Sequence, residues 1–233
     1  KEQNTNFESL IKNLENNHEL YTLVFNIVVE DTIKTLNLDN PLIGLGVTYG
    51  IFKSHGEQVC IHNRIYEQRI YNYLSSKVET SVDKIGNYNF PNQFITNKGA
   101  LDFEKVLLRF QQFMKEQYSP KDTAFVERNW RLLYLAFLKP IINGHGFDFK
   151  EAQISEEKQL DVVITYDNRK YINELKIWKG HAKHKKGIVQ LTDYLERQQK
   201  EEGFLVIFDF RKKMDYKQEK ITSRGKKIFM VWV

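Results

Sequence analysis

The chain lacks most of what would tie it to an oxidising or membrane setting. Its one cysteine, Cys60, cannot form an internal disulfide, which fits a reducing cytoplasm. No apolar run approaches the about 20 residues of a membrane span, and no signal-peptide pattern opens the sequence. It begins Lys-Glu-Gln rather than with Met, as a piece of a longer protein would. Nowhere does Gly-x-x-x-x-Gly-Lys-Ser/Thr occur, so a phosphate-cradling nucleotide loop is absent from these residues. Positive charge is scarce in the first half. Residues 1–120 hold 12 Lys and Arg against 14 Asp and Glu, a balance of −2. Residues 121–233 hold 23 against 16, a balance of +7, within a net charge of +5 over 233 residues. The positive field of the second half suits a polyanionic partner.

That half contains the most informative stretch. Residues 160–166 are apolar and β-branched, residues 167–170 (Asp-Asn-Arg-Lys) suit a tight turn, and residues 171–178 are again largely apolar. The pattern predicts a β-hairpin, and its near-continuous hydrophobicity predicts a sheet covered on both faces. Asp161, Glu174 and Lys176 interrupt this apolar pair. Charges there are costly unless paired or bound to a metal. Strand alternation puts Glu174 and Lys176 on one face and Leu175 on the other. Two carboxylates beside an ammonium make a site for a hard divalent cation such as Mg²⁺. Lys176 would add fixed positive charge where a phosphate oxygen gains negative charge.

An Asp followed about a dozen residues later by Glu174-Leu175-Lys176 resembles the core of the PD-(D/E)xK phosphodiesterase superfamily. The resemblance implies metal binding by Asp161 and Glu174 and a catalytic role for Lys176. Leu160 stands where the family pattern has proline, a position that does not touch the metal. Gln190-x-x-x-Tyr194 places two side chains one helical turn apart. It looks like the glutamine–tyrosine element of RecB-like members, which implies an active-site role for Gln190 and a nucleic-acid contact for Tyr194. Members often carry an acid on the preceding helix, and Glu127 is the candidate here, although a helix dipole alone also favours an acid near an N-terminus. Glu151, Glu156 and Glu157 compete for the same role and read as solvated.

The run 179–187, with Lys179, Lys183, Lys185 and Lys186 and two glycines, reads as a phosphate-gripping loop that cannot pack. His181 and His184, lacking a cysteine or a second pair, do not read as a zinc site; His145 reads as a loop residue. A buried helix at 122–142, a strand at 147–154, the hairpin, a helix at 188–199 and a strand at 204–208 give the order helix, three strands, helix, strand. Residues 228–233 close with another strand.

Upstream, residues 7–36 have helical spacing, 42–49 a short helix behind Pro41, 51–61 a hairpin, and 64–76 an amphipathic helix with Ile65, Ile70, Tyr71 and Leu74 inward. Helices around a small hairpin suggest a winged-helix-like module, and without a basic helix face it reads as a packing or protein-contact module. Residues 79–98 are polar and linker-like, and 101–118 is a helix whose aromatics keep core spacing. Tyr49-Gly50-Ile51-Phe52 followed by residues 61–73, Ile61-His62-Asn63-Arg64 to Asn72-Tyr73, resembles the stretch following the ATPase domain in bacterial AAA-ATPase-like proteins with a nuclease-like C-terminus, which implies an ATPase domain upstream.

The expected organisation is therefore a winged-helix-like module (1–78), a linker and connecting helix (79–120) and an α/β domain with a restriction-endonuclease-like core (121–233). The expected function is Mg²⁺- or Mn²⁺-dependent phosphodiester hydrolysis of nucleic acid, DNA foremost, with a non-catalytic interaction module of an ATPase as the alternative.

Overall fold

A computed structural model describes residues 5–29, 32–81, 91–142, 146–149, 162–211 and 215–233. The fold is mixed α/β, and its contacts divide into two units, Lys1–Lys77 and Val78–Val233.

The first unit contains α1 (Thr5–Asn16), α2 (His18–Val28), α3 (Pro41–Thr48), the strands β1 (Phe52–His55) and β2 (Gln58–Ile61), and most of α4 (Arg64–Ser81). The helical pattern expected over 7–36 breaks, as the polar pair Asn16-Asn17 predicts, at Asn17, whose side chain caps α2 by accepting from the Leu20 N–H at 2.9 Å. It ends before Thr35, which bridges to Gln58 beside the β1–β2 hairpin. Leu14, Leu20, Val24, Ile51, Phe52, Ile70 and Leu74 are buried here. Ile65 is not inward as expected; it is 63% exposed. It lies in the first turn of α4, and among the described side chains of that helix the buried ones begin at Ile70.

The second unit is built on a six-stranded sheet in the order β3-β4-β5-β6-β8-β7, where β3 is Gly146–Phe149, β4 Val162–Tyr166, β5 Arg169–Ile177, β6 Glu202–Phe208, β7 Gln218–Ser223 and β8 Lys226–Trp232. Strands β4 and β5 form the expected hairpin. Its loop is only Asp167 and Asn168, at φ 46° and 63°, left-handed angles that these two residue types tolerate and that match the twist of a two-residue hairpin. Strand β5 is parallel to β6, and β6 to β8. A parallel pair needs a crossover, supplied between β5 and β6 by α7 (His181–Arg197). Strand β7, polar along most of its length, was not foreseen; it closes the edge antiparallel to β8.

Helices cover both faces. On one side lie α5 (Phe103–Gln117) and α6 (Thr123–Ile142): Phe103 meets Phe204 edge-on at 4.7 Å, and Trp130 lies 5.0 Å from Phe208. The buried Tyr134 hydroxyl and the Asn173 amide are hydrogen-bonded across this layer. On the other side, Leu191 and Leu195 of α7 pack with Val163, Ile172, Leu205, Ile207, Ile228 and Met230. This double cover explains why β4 and β5 read as nearly unbroken apolar runs. The described order α6-β3-β4-β5-α7-β6 is helix, three strands, helix, strand.

Candidate functional site

Alternation along β5 divides its side chains between the two layers. Asn173 and Leu175 face the α5–α6 side, and Ile172, Glu174 and Lys176 face α7. Glu174 is fully buried, at 0% side-chain exposure, and its Oε1 lies 2.6 Å from the Nζ of Lys176, a side chain that is 35% exposed. The ammonium thus spans the boundary between a dry carboxylate and solvent. A carboxylate in such surroundings is tolerated only with compensation of this kind.

Helix α7 passes beside Lys176 at Gly187. A Cβ at that position would stand 3.5 Å from Cγ of Lys176 and 3.7 Å from its Cε, so the helix lies directly along the lysine stem. Gln190, one turn further along, is half-buried on the same helix. Tyr194 is 6% exposed and belongs to the apolar cluster under α7, with the Arg197 guanidinium 5.9 Å from its ring. Little of that ring is left to meet a polymer outside.

The lysine-rich run corrects the loop expected over 179–187. Gly180, at φ 96°, breaks the chain after β5, and helix begins at His181. Lys183, Lys185 and Lys186 are exposed on its first two turns, and Lys179 is exposed just before them. The run also packs: His184 sits 5.3 Å from Trp178 and 5.5 Å from Trp232. Lysine and alanine are good helix formers, which the expectation of a loop underweighted. Cations at a helix N-terminus work against the macrodipole, so positive potential concentrates there.

Glu127 is exposed in α6, the helix on the opposite face of the sheet from Glu174. Asp161, Glu151, Glu156, Glu157 and His145 lie outside the described residues. Strand β4 opens at Val162, paired with Asn173. Among the described residues no group of three or more His, Cys, Asp or Glu is placed to hold a metal ion.

Two features escaped the sequence reading. Asp209, immediately after β6, is buried and held by Arg211 through Nε at 2.8 Å and Nη2 at 2.5 Å. Burial pulls its carboxyl upward in pKa, but the Arg211 hydrogen bonds and charge outweigh this and leave it below the usual range. The second is a row of rings and cations: Arg211 over Trp178 at 5.1 Å, Trp178 beside His184, His184 beside Trp232, and Lys217 over Trp232 at 4.1 Å. The signal for the first was an acid directly behind an apolar strand; the second needs the sheet order. Comparison with protein-family models, curated proteins and solved structures gave no match.

Proposed function

We propose that residues 121–233 form a restriction-endonuclease-like domain that hydrolyses phosphodiester bonds of nucleic acid, DNA foremost, using Mg²⁺ or Mn²⁺. The observation that carries this reading is the buried Glu174 with Lys176 2.6 Å away on a central strand. The order helix, three strands, helix, strand around it supports the same assignment. The donor chemistry suits a hard cation, which prefers carboxylate oxygens and keeps several waters. Asp161 and Glu174 would hold the ion, without Glu127, which lies on α6 across the sheet from Glu174; when bound, the ion would acidify a water and offset charge on the phosphate.

The remaining work falls to the chain's own groups. Lys176, paired to Glu174 yet reaching solvent, would set its positive charge against the developing phosphate charge and orient the attacking water. Gln190 would fix the position of that lysine and water from α7. Exposed Lys179, Lys183, Lys185 and Lys186 would hold the substrate backbone electrostatically. Residues 1–78 are read as a winged-helix-like packing or protein-contact module, and the likeness of 49–52 and 61–73 to post-ATPase segments makes an ATPase domain the expected working partner. No helix among the described residues is long and apolar enough to cross a membrane.

A second reading keeps the fold without the chemistry: a nucleic-acid or protein interaction module of an ATPase. The exposed position of Glu127 on α6, across the sheet from Glu174, favours it, because the expected third acid is then missing from that helix. Cleavage of labelled DNA with Mn²⁺ separates the two. The nuclease reading expects cutting that Lys176→Met abolishes; a wild-type protein that binds but never cuts supports the module.

A further inference from the structure

The carboxyl ends of β5, β6 and β8 meet on one side of the sheet. The Trp178 N–H donates to the Phe208 carbonyl at 2.8 Å, and the Asp209 N–H to the Val233 carbonyl at 2.8 Å. Strand β7 starts at the same end, where the Lys217 carbonyl accepts from the Trp232 N–H at 2.9 Å and from Gln111 Nε2 at 2.9 Å. Ligands of open α/β sheets bind beyond the carboxyl ends of parallel strands. Trp178 lies on β5's own face, two residues beyond Lys176 and four beyond Glu174.

Arg211 is built into this edge in an unusual way. Its backbone N–H, Nε and Nη2 all bond the Asp209 carboxylate, whose side chain is 1% exposed, while the arginine side chain is 58% exposed. The Trp178 ring fixes the guanidinium from a second direction. A partner needed only to neutralise Asp209 has no reason to be so exposed. With Nε and one edge of Nη2 engaged, Nη1 and the other edge of Nη2 are the donors directed away from the carboxylate. A guanidinium edge of that kind matches two phosphate oxygens, and its ordering is already achieved in the free protein. Lys217, over Trp232 and 4.0 Å from the exposed Glu219, adds a cation further along the same row.

We propose that Arg211, locked by Asp209 and Trp178 and seconded by Lys217, binds backbone phosphate and seats the substrate strand across the carboxyl ends of β5, β6 and β8, beside Glu174 and Lys176. The inference rests on the phosphodiester reading above and adds to it a second phosphate contact, separate from the α7 lysines.

The test is binding of a fluorescein-labelled DNA oligonucleotide in EDTA, followed by anisotropy across a salt series. The variant is Asp209→Asn with Arg211→Gln, which removes the buried charge together with its partner. Affinity about tenfold lower for unrelated sequences, with the salt slope smaller by about one, is the expected result. Wild-type affinity and slope in a variant that melts cooperatively would overturn it. Should the double variant not fold, Arg211→Lys keeps a charge opposite Asp209 but has no second edge; it is expected to bind as weakly, and wild-type binding there overturns the proposal equally. The binding arm needs no chemistry. If Lys176→Met abolishes cleavage while the Arg211 variants bind normally, this inference fails and the nuclease reading stands. Cleavage that survives Lys176→Met strikes the nuclease reading itself.

Discussion

The Lys176 ammonium lies 2.6 Å from a Glu174 carboxylate that has no solvent exposure, while the lysine itself is about a third exposed. The two partners are therefore unequal. Lys176→Met removes the ammonium from a buried carboxylate and should cost about 3 kcal/mol, the lower end for breaking a buried pair, because water can enter where the ammonium stood. Glu174→Gln leaves an ammonium that can turn to water, and should cost within about 1 kcal/mol. Urea unfolding of both variants checks the asymmetry; equal losses would contradict it.

Three glycines make a graded prediction. At Gly187 a methyl would make ordinary contact with the Lys176 stem, so Gly187→Ala should stabilise α7 by about 0.5–1 kcal/mol through helix propensity. At Gly203 it would stand 2.8 Å from Leu195 Cδ1 and 3.2 Å from Leu191 Cδ1, and Gly203→Ala should cost about 1–3 kcal/mol. At Gly46 it would fall 2.2 Å from Cδ2 of Phe52, and Gly46→Ala should be worse still. Thermal melts would rank the three.

Burial chiefly, helped by Lys217 and His181 and opposed by Glu219, pulls the His184 pKa below its ordinary 6.5. Between the lowered folded value and 6.5 the unfolded chain binds more proton than the folded one. Stability should therefore fall as pH drops through and below 6.5, and His184→Gln should remove that part of the dependence. Melting temperatures of both proteins from pH 7.5 down to about 5 test this; parallel profiles would contradict it.

Tyr134 and Asn173 are both fully buried and hydrogen-bonded to each other across the α6–sheet layer. Tyr134→Phe would strand the amide and should cost about 1–3 kcal/mol. Adding Asn173→Val should recover part of it, because both polar partners are then gone. Chemical denaturation of the single and double variants measures the coupling.

Much of the second unit was legible because local and global signals agree there. Asp167 and Asn168 fit a left-handed two-residue turn, and the apolar runs around it reflect helices on both faces. The charge density of the 179–187 run points to a loop, whereas helix propensity prevails from His181 onward. Gly187 lies along the Lys176 stem, and His184 finds two tryptophans, facts that depend on how α7 packs on the sheet that β5 and β8 share. Strand β7 was missed for a related reason. Its Gln-Glu-Lys start carries no apolar alternation, and only pairing with β8 makes it a strand. Ile65 followed helical spacing but lies before the buried ones among the described side chains of α4 begin.

The central claim, that Glu174 shares a cation with Asp161, is tested most directly by titrating Mn²⁺ against the unfolding temperature. The wild-type protein should gain about 2.7 kcal/mol once Mn²⁺ reaches a hundredfold excess over its dissociation constant, and Asp161→Ala and Glu174→Gln should gain almost nothing. An identical Mn²⁺-induced rise in all three proteins, or none in the wild type, would contradict the account.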